Sequence, residues 1–97
     1  MYKLISITKS NKEKKKWTAK FYNKITKREK NIDFGASGYD DYTITKDKEQ
    51  RERYRTRHKN DNLSSPISAG ALSYYILWGD STSMKTNIRE FKKKFGV

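Results

Sequence analysis

The sequence contains no cysteine, one proline, one histidine and no long hydrophobic run. Without cysteine the chain has neither a disulfide framework nor a thiolate metal site. No stretch approaches the ~18 apolar residues of a membrane-spanning helix. The first ten residues, MYKLISITKS, also lack the apolar core of a signal peptide. We therefore expect a soluble protein, made in the cytoplasm, with no transmembrane segment.

Hydrophobic residues are scarce as well, at 33% of the 97 residues, whereas charged residues make up 35%. The aromatic content of 13% compensates, because each aromatic side chain can bury roughly 150–250 Å². A disordered chain is poor in aromatics. The composition therefore favours one small folded domain over residues 1–97.

Acidic residues are outnumbered 23 to 11 by lysine and arginine, which gives a formal net charge of +12. Residues 1–33 contain 11 basic and 3 acidic residues, whereas residues 34–62 contain 7 and 6. A positive field of this size favours polyanionic partners such as nucleic acid, an acidic protein or an anionic membrane. The alternative is that the lysines only keep a small protein in solution.

Alternating apolar and polar residues predict three strands in the segment 1–34, over residues 2–9, 16–23 and about 28–34. Strict alternation in the first strand places Ile5 and Ile7 on one face and Leu4 on the other. Polar turns separate the strands, so we expect a small antiparallel sheet whose apolar face needs a covering helix.

The segment 45–97 is predicted to form three helices, over residues 45–60, 64–79 and 81–96. Thr45 is the expected N-cap of the first helix. Pro66 after a serine suits the start of the second, and Gly79 suits its end. The apolar residues expected to be buried against the sheet are Leu72, Ile76, Trp78, Ile88 and Phe91. The predicted fold class is α+β, an N-terminal three-stranded antiparallel sheet followed by three helices.

Residues 35–44 form a glycine-rich connection within the stretch FGASGYDDYT. Its glycines permit positive φ, and their spacing is not that of a phosphate-binding P-loop. We expect an anchored link between strand and helix. In this link Asp40 or Asp41 pairs with Arg57, with His58 or with the N-terminus of the following helix.

That helix carries arginine at every second position from 51 to 57. Arg51 and Arg55 share one face and Arg53 and Arg57 another, because side chains four residues apart are neighbours on a helix. One pair is expected to face the acids of the connection and the other a partner, since arginine suits bidentate pairing to carboxylate or phosphate. Arg51, Arg53 and Arg55 are therefore candidate polyanion-binding residues.

The first hairpin is rich in lysine, and six of its residues are candidate polyanion-binding groups: Lys9, Lys12, Lys14, Lys15, Lys16 and Lys20. Lysines neutralise phosphates without reading a base sequence. Trp17 and Tyr22 lie among them and would stack on bases if exposed, but they fit the sheet core better. The alternative for the lysines is a solvated sheet edge that resists aggregation.

The single histidine, His58, raises the possibility of a metal site or a catalytic base. With no cysteine and no second histidine, a metal there would need carboxylates alone as its other ligands. A pair with Asp40 or Asp41 would imitate a nuclease, whereas a structural His58 beside Tyr54 is the preferred interpretation. We assign no catalytic residue, no metal and no cofactor.

Four segments, FGASGYDDYT, RYRTRHKNDN, SAGALSYYILWGDS and NIREFKKKFG, together resemble an uncharacterised family of small basic proteins. Its members are encoded mainly by large nucleocytoplasmic DNA viruses of algae and protists. The resemblance covers about residues 31–97. It implies a viral origin, synthesis in the host cytoplasm and a non-enzymatic role in the virion, and it supplies no catalytic mechanism.

These features lead to the hypothesis of a small, non-enzymatic viral protein that binds DNA independently of sequence and helps to package it in the virion. An alternative is a minor capsid or cement protein whose basic face meets acidic shell proteins. A second alternative is a small metal-dependent nuclease.

Overall fold

The computed structural model describes residues 2–61 and 63–97. The strands and helices follow one another as β1 (Tyr2–Lys9), β2 (Lys15–Asn23), β3 (Arg28–Ala36), α1 (Tyr42–Thr45), α2 (Lys48–His58), α3 (Ala69–Leu72), a π-helical segment (Ser73–Leu77) and α4 (Met84–Phe95). The predicted α+β order, with the sheet first and the helices after it, is confirmed. In the described part of the chain, no helix is both long enough and apolar enough to cross a membrane.

The sheet is antiparallel throughout, in the order β1-β2-β3. The turn between β2 and β3 is organised by Asn23, whose side-chain oxygen accepts from the backbone N–H groups of Ile25 and Thr26, at 2.9 and 3.3 Å. Lys27 then adopts a positive φ of 58°. An asparagine side chain thus imitates a backbone turn here.

Strand β1 does not alternate strictly, because it contains a bulge. Leu4 lies opposite Phe21, and Ile7 lies opposite Ala19, with the register shifting between them. Leu4 and Ile7 both join the core, whereas Ile5 is 57% exposed. The prediction that Ile5 and Ile7 share a face was wrong, since one extra residue in a strand reverses the alternation beyond it.

One core lies between the sheet and the helices. Its buried hydrophobic residues are Leu4, Ala19, Phe21, Phe34, Tyr42, Ala71, Leu72, Ile76, Leu77, Trp78 and Phe91. Four of the five predicted core residues are among them, and the fifth, Ile88, is half-buried at the edge of this cluster. The helices therefore cover one face of the sheet, as its apolar pattern requires.

The helix predicted from residue 45 begins later, after a separate short helix. The carboxylate of Asp47 caps α2 by accepting from the N–H groups of Glu49 and Gln50, at 3.0 and 3.2 Å. Thr45 is the last residue of α1, which ends where Lys46 takes a φ of 58°. Thr45 was the wrong cap, because Asp47 offers the capping oxygen two residues later.

The second predicted helix is shorter than expected. It begins at Ala69, where the hydroxyl of Ser68 accepts from the N–H of Ala71 at 3.1 Å. Pro66 lies in the turn before it. Gly79 does not have the positive φ of a helix-terminating glycine. Instead a Cβ there would lie 2.3 Å from the carbonyl oxygen of Tyr75, so glycine is required by close packing.

Helix α4 begins at Met84 after the N-cap Ser83, three residues later than predicted, and Gly96 ends it with a φ of 67°. Its buried side includes a polar residue, Asn87. The Asn87 amide donates to the carbonyl oxygens of Ile76 and Ser81, at 2.9 and 2.7 Å, and its oxygen accepts from the Ser81 N–H at 3.0 Å. Asn87 therefore fixes the turn that joins the π-helical segment to α4.

Candidate nucleic-acid interface

The turn between β1 and β2 presents four lysines, Lys9, Lys12, Lys14 and Lys15, which we call the hairpin surface. All four are exposed. Among the described residues, only Lys12 has an acidic partner, Asp33, at 3.4 Å, and the Lys12 side chain remains 69% exposed. These ammonium groups are hydrated point charges, available to any anion that approaches this end of the sheet.

Two other lysines of the predicted set are placed differently. The Lys16 side chain is only 14% exposed, and its Nζ lies 2.7 Å from Oδ2 of Asp41. Lys20 is half-exposed and lies 3.4 Å from Glu29 on the neighbouring strand. Lys16 therefore belongs to an internal ion pair, while Lys20 sits in the middle of the sheet and apart from the hairpin surface.

The two aspartates of the glycine-rich connection have different environments. Asp41 is buried and caps α1, accepting from the N–H of Thr43 at 2.9 Å and from the Thr43 hydroxyl. Asp40 is exposed and makes no hydrogen bond with any described residue. Within residues 2–61 and 63–97, neither aspartate pairs with Arg57 or His58. Of the three predicted partners only a helix N-terminus is found: Asp41 caps α1, the short helix that precedes the arginine helix, and pairs with Lys16.

Arg51 and Arg55, on one face of α2, hold the turn after the π-helical segment. The Arg55 Nε donates to the carbonyl oxygen of Trp78 at 2.8 Å, and its guanidinium meets the Asp80 carboxylate at 2.9 Å. Arg51 donates to the Asp80 carbonyl oxygen at 3.3 Å and lies 4.8 Å from the centre of the Tyr42 ring. Both side chains are therefore engaged inside the molecule.

Arg53 and Arg57, on another face of α2, are exposed. Neither makes an ion pair or a hydrogen bond with any residue of 2–61 or 63–97. The expected division of the arginines into an internal and an outward pair is present. The internal pair, Arg51 and Arg55, binds the turn at Asp80 and not the acids of the glycine-rich connection.

A cleft of about 600 Å³ opens between α2 and the glycine-rich connection. Helix α2 contributes one wall, which includes Arg53, Arg57 and His58. The opposite wall runs from Gly35 to Asp41. Arg53 and Arg57, which have no partner among the described residues, therefore face the glycine-rich connection across the cleft.

The floor of the cleft is aromatic. The rings of Tyr54 and Trp78 are stacked, with centroids 4.4 Å apart and planes 8° from parallel, and the His58 ring lies 4.3 Å from Tyr54 on the same helix. Burial, and to a smaller extent the nearby Asp61 carboxylate, raise the pKa of Tyr54 to about 12. The Tyr54 hydroxyl therefore keeps its proton at neutral pH.

His58 lies beside Tyr54, in the position expected for a structural histidine. Its Nδ1 is 2.8 Å from Oδ2 of Asp61. Within the described ranges, no three His, Asp or Glu side chains are grouped closely enough to hold a metal ion. The carboxylate partner of His58 is therefore the one three residues along the chain, and not Asp40 or Asp41.

A comparison with known families matches residues 5–58, which is more than half of the chain. The chain belongs to DUF5754, a family of unknown function. Neither the curated proteins nor the solved structures contain a significant match. The DUF5754 segment runs from β1 to the last residue of α2, so it includes the hairpin surface and both walls of the cleft.

Sequence reasoning missed the residues that build the cleft floor and its support. Trp78 lies outside the DUF5754 segment and was predicted only as a core residue. The sequence does not mark Asn87 as buried, because a polar residue on a helix is ordinarily solvated. Asp41 did carry a signal, since aspartate is among the preferred N-cap residues and a pairing with a helix N-terminus was expected for it.

Proposed function

We propose that the protein binds nucleic acid through the hairpin surface, without reading the base sequence. The observation that carries this proposal is the exposure of four lysine ammonium groups at one sheet end, three of them without an acidic partner among the described residues. Lysine–phosphate contacts release counterions from the nucleic acid, which gives affinity but no sequence preference.

The same proposal includes DNA packaging in a virion and a viral origin. Its support is the resemblance of four sequence segments to small basic viral proteins, together with the net charge of +12. Lysine contacts to phosphate oxygens fix a protein on nucleic acid without carrying sequence information, which is what the packaging of any DNA requires.

The test replaces Lys9, Lys12, Lys14 and Lys15 by glutamine and measures duplex DNA affinity as a function of salt concentration. Lys16 is left unchanged because its charge supports the fold. The control variant replaces four exposed lysines elsewhere, Lys48, Lys85, Lys92 and Lys93. Both variants lower the formal net charge from +12 to +8. Any difference between their DNA affinities therefore reports where the lost charges lie and not how many were lost.

The hairpin variant is expected to bind any duplex more weakly, and the slope of log affinity against log salt should shrink by up to about 0.9 per lost phosphate contact. The control variant should keep a slope close to that of the wild type. Identical slopes for the wild type and the hairpin variant would remove the hairpin surface from the interface. No binding by the wild type at low salt would favour an acidic capsid protein as the partner.

A further inference from the structure

The cleft and the hairpin surface are neighbours. Lys16 lines both the cleft and a shallow depression at the hairpin turn, and Ser37, which also lines the depression, directly precedes Gly38 in the cleft wall. The Ser37 N–H donates to the carbonyl oxygen of Lys14 at 3.0 Å, which ties the two regions together. A strand bound along the hairpin surface therefore passes the mouth of the cleft.

The charges of the cleft favour an anion. Lys16 and Asp41 neutralise each other at 2.7 Å. This leaves the cations Arg53 and Arg57 against one exposed carboxylate, that of Asp40. The two guanidinium groups have no competing acidic partner in the described part of the chain, and their planar donor geometry suits phosphate oxygens.

The rest of the lining favours a planar apolar group. Trp78 and His58 cover the two faces of the Tyr54 ring, so the floor offers an apolar surface, whereas the ring of Tyr39 at the rim is 73% exposed and is free to stack on a base. Stacking on an aromatic side chain accepts any base, because every base has a π-face. The volume of about 600 Å³ is within the range of small-ligand sites. Bases inside a duplex are not accessible to such a site unless they leave the stack.

We infer that the cleft binds one unpaired nucleotide, with its phosphate at Arg53 and Arg57 and its base between the aromatic floor and Tyr39. This inference rests on the proposed function for the strand that delivers the nucleotide, but the cleft itself is testable without that strand. It makes the protein prefer single strands or overhanging ends to blunt duplexes.

The first experiment titrates the protein with adenosine 5′-monophosphate and follows the backbone amide NMR signals of Gly38 and Tyr39. Adenosine and inorganic phosphate are titrated separately, and each should bind at least about tenfold more weakly, a difference of 1.4 kcal/mol. The double variant R53Q/R57Q should bind the nucleotide at least about tenfold more weakly than the wild type. The control K92Q/K93Q, which loses the same charge on α4, should stay within about twofold of the wild type.

No shift of these signals at about 10 mM nucleotide, well above the millimolar range of weak binding, would overturn the inference. Equal affinities of the wild type and R53Q/R57Q would also overturn it. So would equal losses in both double variants, because the nucleotide would then respond only to net charge. The amide spectrum of each variant shows whether it is folded. If R53Q/R57Q fails to fold, the single variants R53Q and R57Q replace it under the same criterion.

The second experiment compares a blunt duplex with the same duplex carrying a short single-stranded overhang. The wild type should prefer the overhang, and R53Q/R57Q should lose that preference while keeping its salt slope. Nucleotide binding without an overhang preference would identify free nucleotides as the source of the ligand. Nucleotide binding without any duplex binding would support the cleft and contradict the proposed function of the hairpin surface.

Discussion

At the scale of single residues, the Lys16–Asp41 pair is a largely buried ion pair, with side chains 14% and 2% exposed. Asp41→Ala would remove the cap of α1 and leave the Lys16 ammonium, 14% exposed, without its partner. Loss of one member of a buried pair costs about 3–5 kcal/mol. We expect a urea midpoint far below that of the wild type. The neighbouring variant Asp40→Ala should lie within about 0.5 kcal/mol of the wild type; equal midpoints for both variants would contradict the structural role of Asp41.

Two glycines provide a second residue-level test with a matched pair. A Cβ on Gly79 would meet the Tyr75 carbonyl oxygen at 2.3 Å and the Asn87 side chain at 2.8 Å, whereas a Cβ on Gly70 meets nothing within 4 Å. Gly79→Ala should therefore destabilise the protein by about 1–3 kcal/mol or more through overpacking. Gly70→Ala, in α3, should be neutral or stabilising by up to about 1 kcal/mol. Thermal unfolding of both variants measures the two effects. A Gly79→Ala protein as stable as the wild type would mean that the turn can move away from Asn87.

At the scale of elements, Asp33 joins all three strands of the sheet. It lies in β3, and its carboxylate accepts from the hydroxyl groups of Thr18 in β2 and of Ser10 after β1. The hydrogen bond from Thr18, then that from Ser10, and the nearby Lys12 ammonium lower the pKa of Asp33. A carboxylate whose pKa is lowered by folding stabilises the folded state above its unfolded pKa, about 3.9. This stabilisation is lost as the pH falls through the lower folded pKa.

We therefore expect the wild type to lose stability on acidification below about pH 4 more steeply than Asp33→Asn does. Urea unfolding at a series of pH values between neutral and strongly acidic measures this difference. Asp40→Asn, which removes a carboxylate without hydrogen bonds among the described residues, is the matched control. If stability falls with pH in parallel for the wild type and Asp33→Asn, then the two hydroxyl contacts and the Lys12 contact do not favour the ionised form of Asp33 over the protonated form.

The elements themselves were largely predictable, and their ends were not. The strands were found by alternation, because one face of a small sheet must be buried whatever covers it. The bulge in β1 left no sign in the sequence, since its cause is the register with β2. The start of α2 was misplaced because Thr45 and Asp47 are both good caps. The choice between them depends on α1, which is anchored by the buried Tyr42 ring.

At the scale of the whole molecule, the charge of +12 acts against folding. Like charges repel more strongly in the compact state, and salt screens this repulsion over a Debye length of about 10 Å at 0.1 M. The melting temperature should therefore rise by several degrees between low and moderate salt, where about 1 kcal/mol corresponds to roughly 4–8 °C. The hairpin variant with four glutamines should show a smaller rise. A melting temperature that falls with salt would mean that ion pairs outweigh the repulsion.

The candidate site is a property of the whole molecule, which is why the sequence revealed only parts of it. Composition identified the lysine-rich turn, and helical spacing separated Arg53 and Arg57 from the other two arginines. Helical spacing predicted that one arginine pair would face the glycine-rich connection, but no local pattern indicated which pair, or that an aromatic floor would lie between them. That arrangement depends on Trp78, whose position is fixed by Arg55 and, through the turn after it, by Asn87.

The order of the elements along the chain has a consequence for synthesis on the ribosome. The sheet is complete at Ala36, whereas α4, which contributes Phe91 to the core, follows about 60 residues later. At the usual rate of protein synthesis, about 5–20 residues per second, the apolar face of the sheet stays uncovered by α4 for roughly 3–12 s. Uncovered strands invite pairing with other chains, and lysines along their edges oppose it. Lys9, one of the charges proposed to hold nucleic acid in the finished protein, ends the edge strand β1 and would already oppose such pairing in the nascent chain.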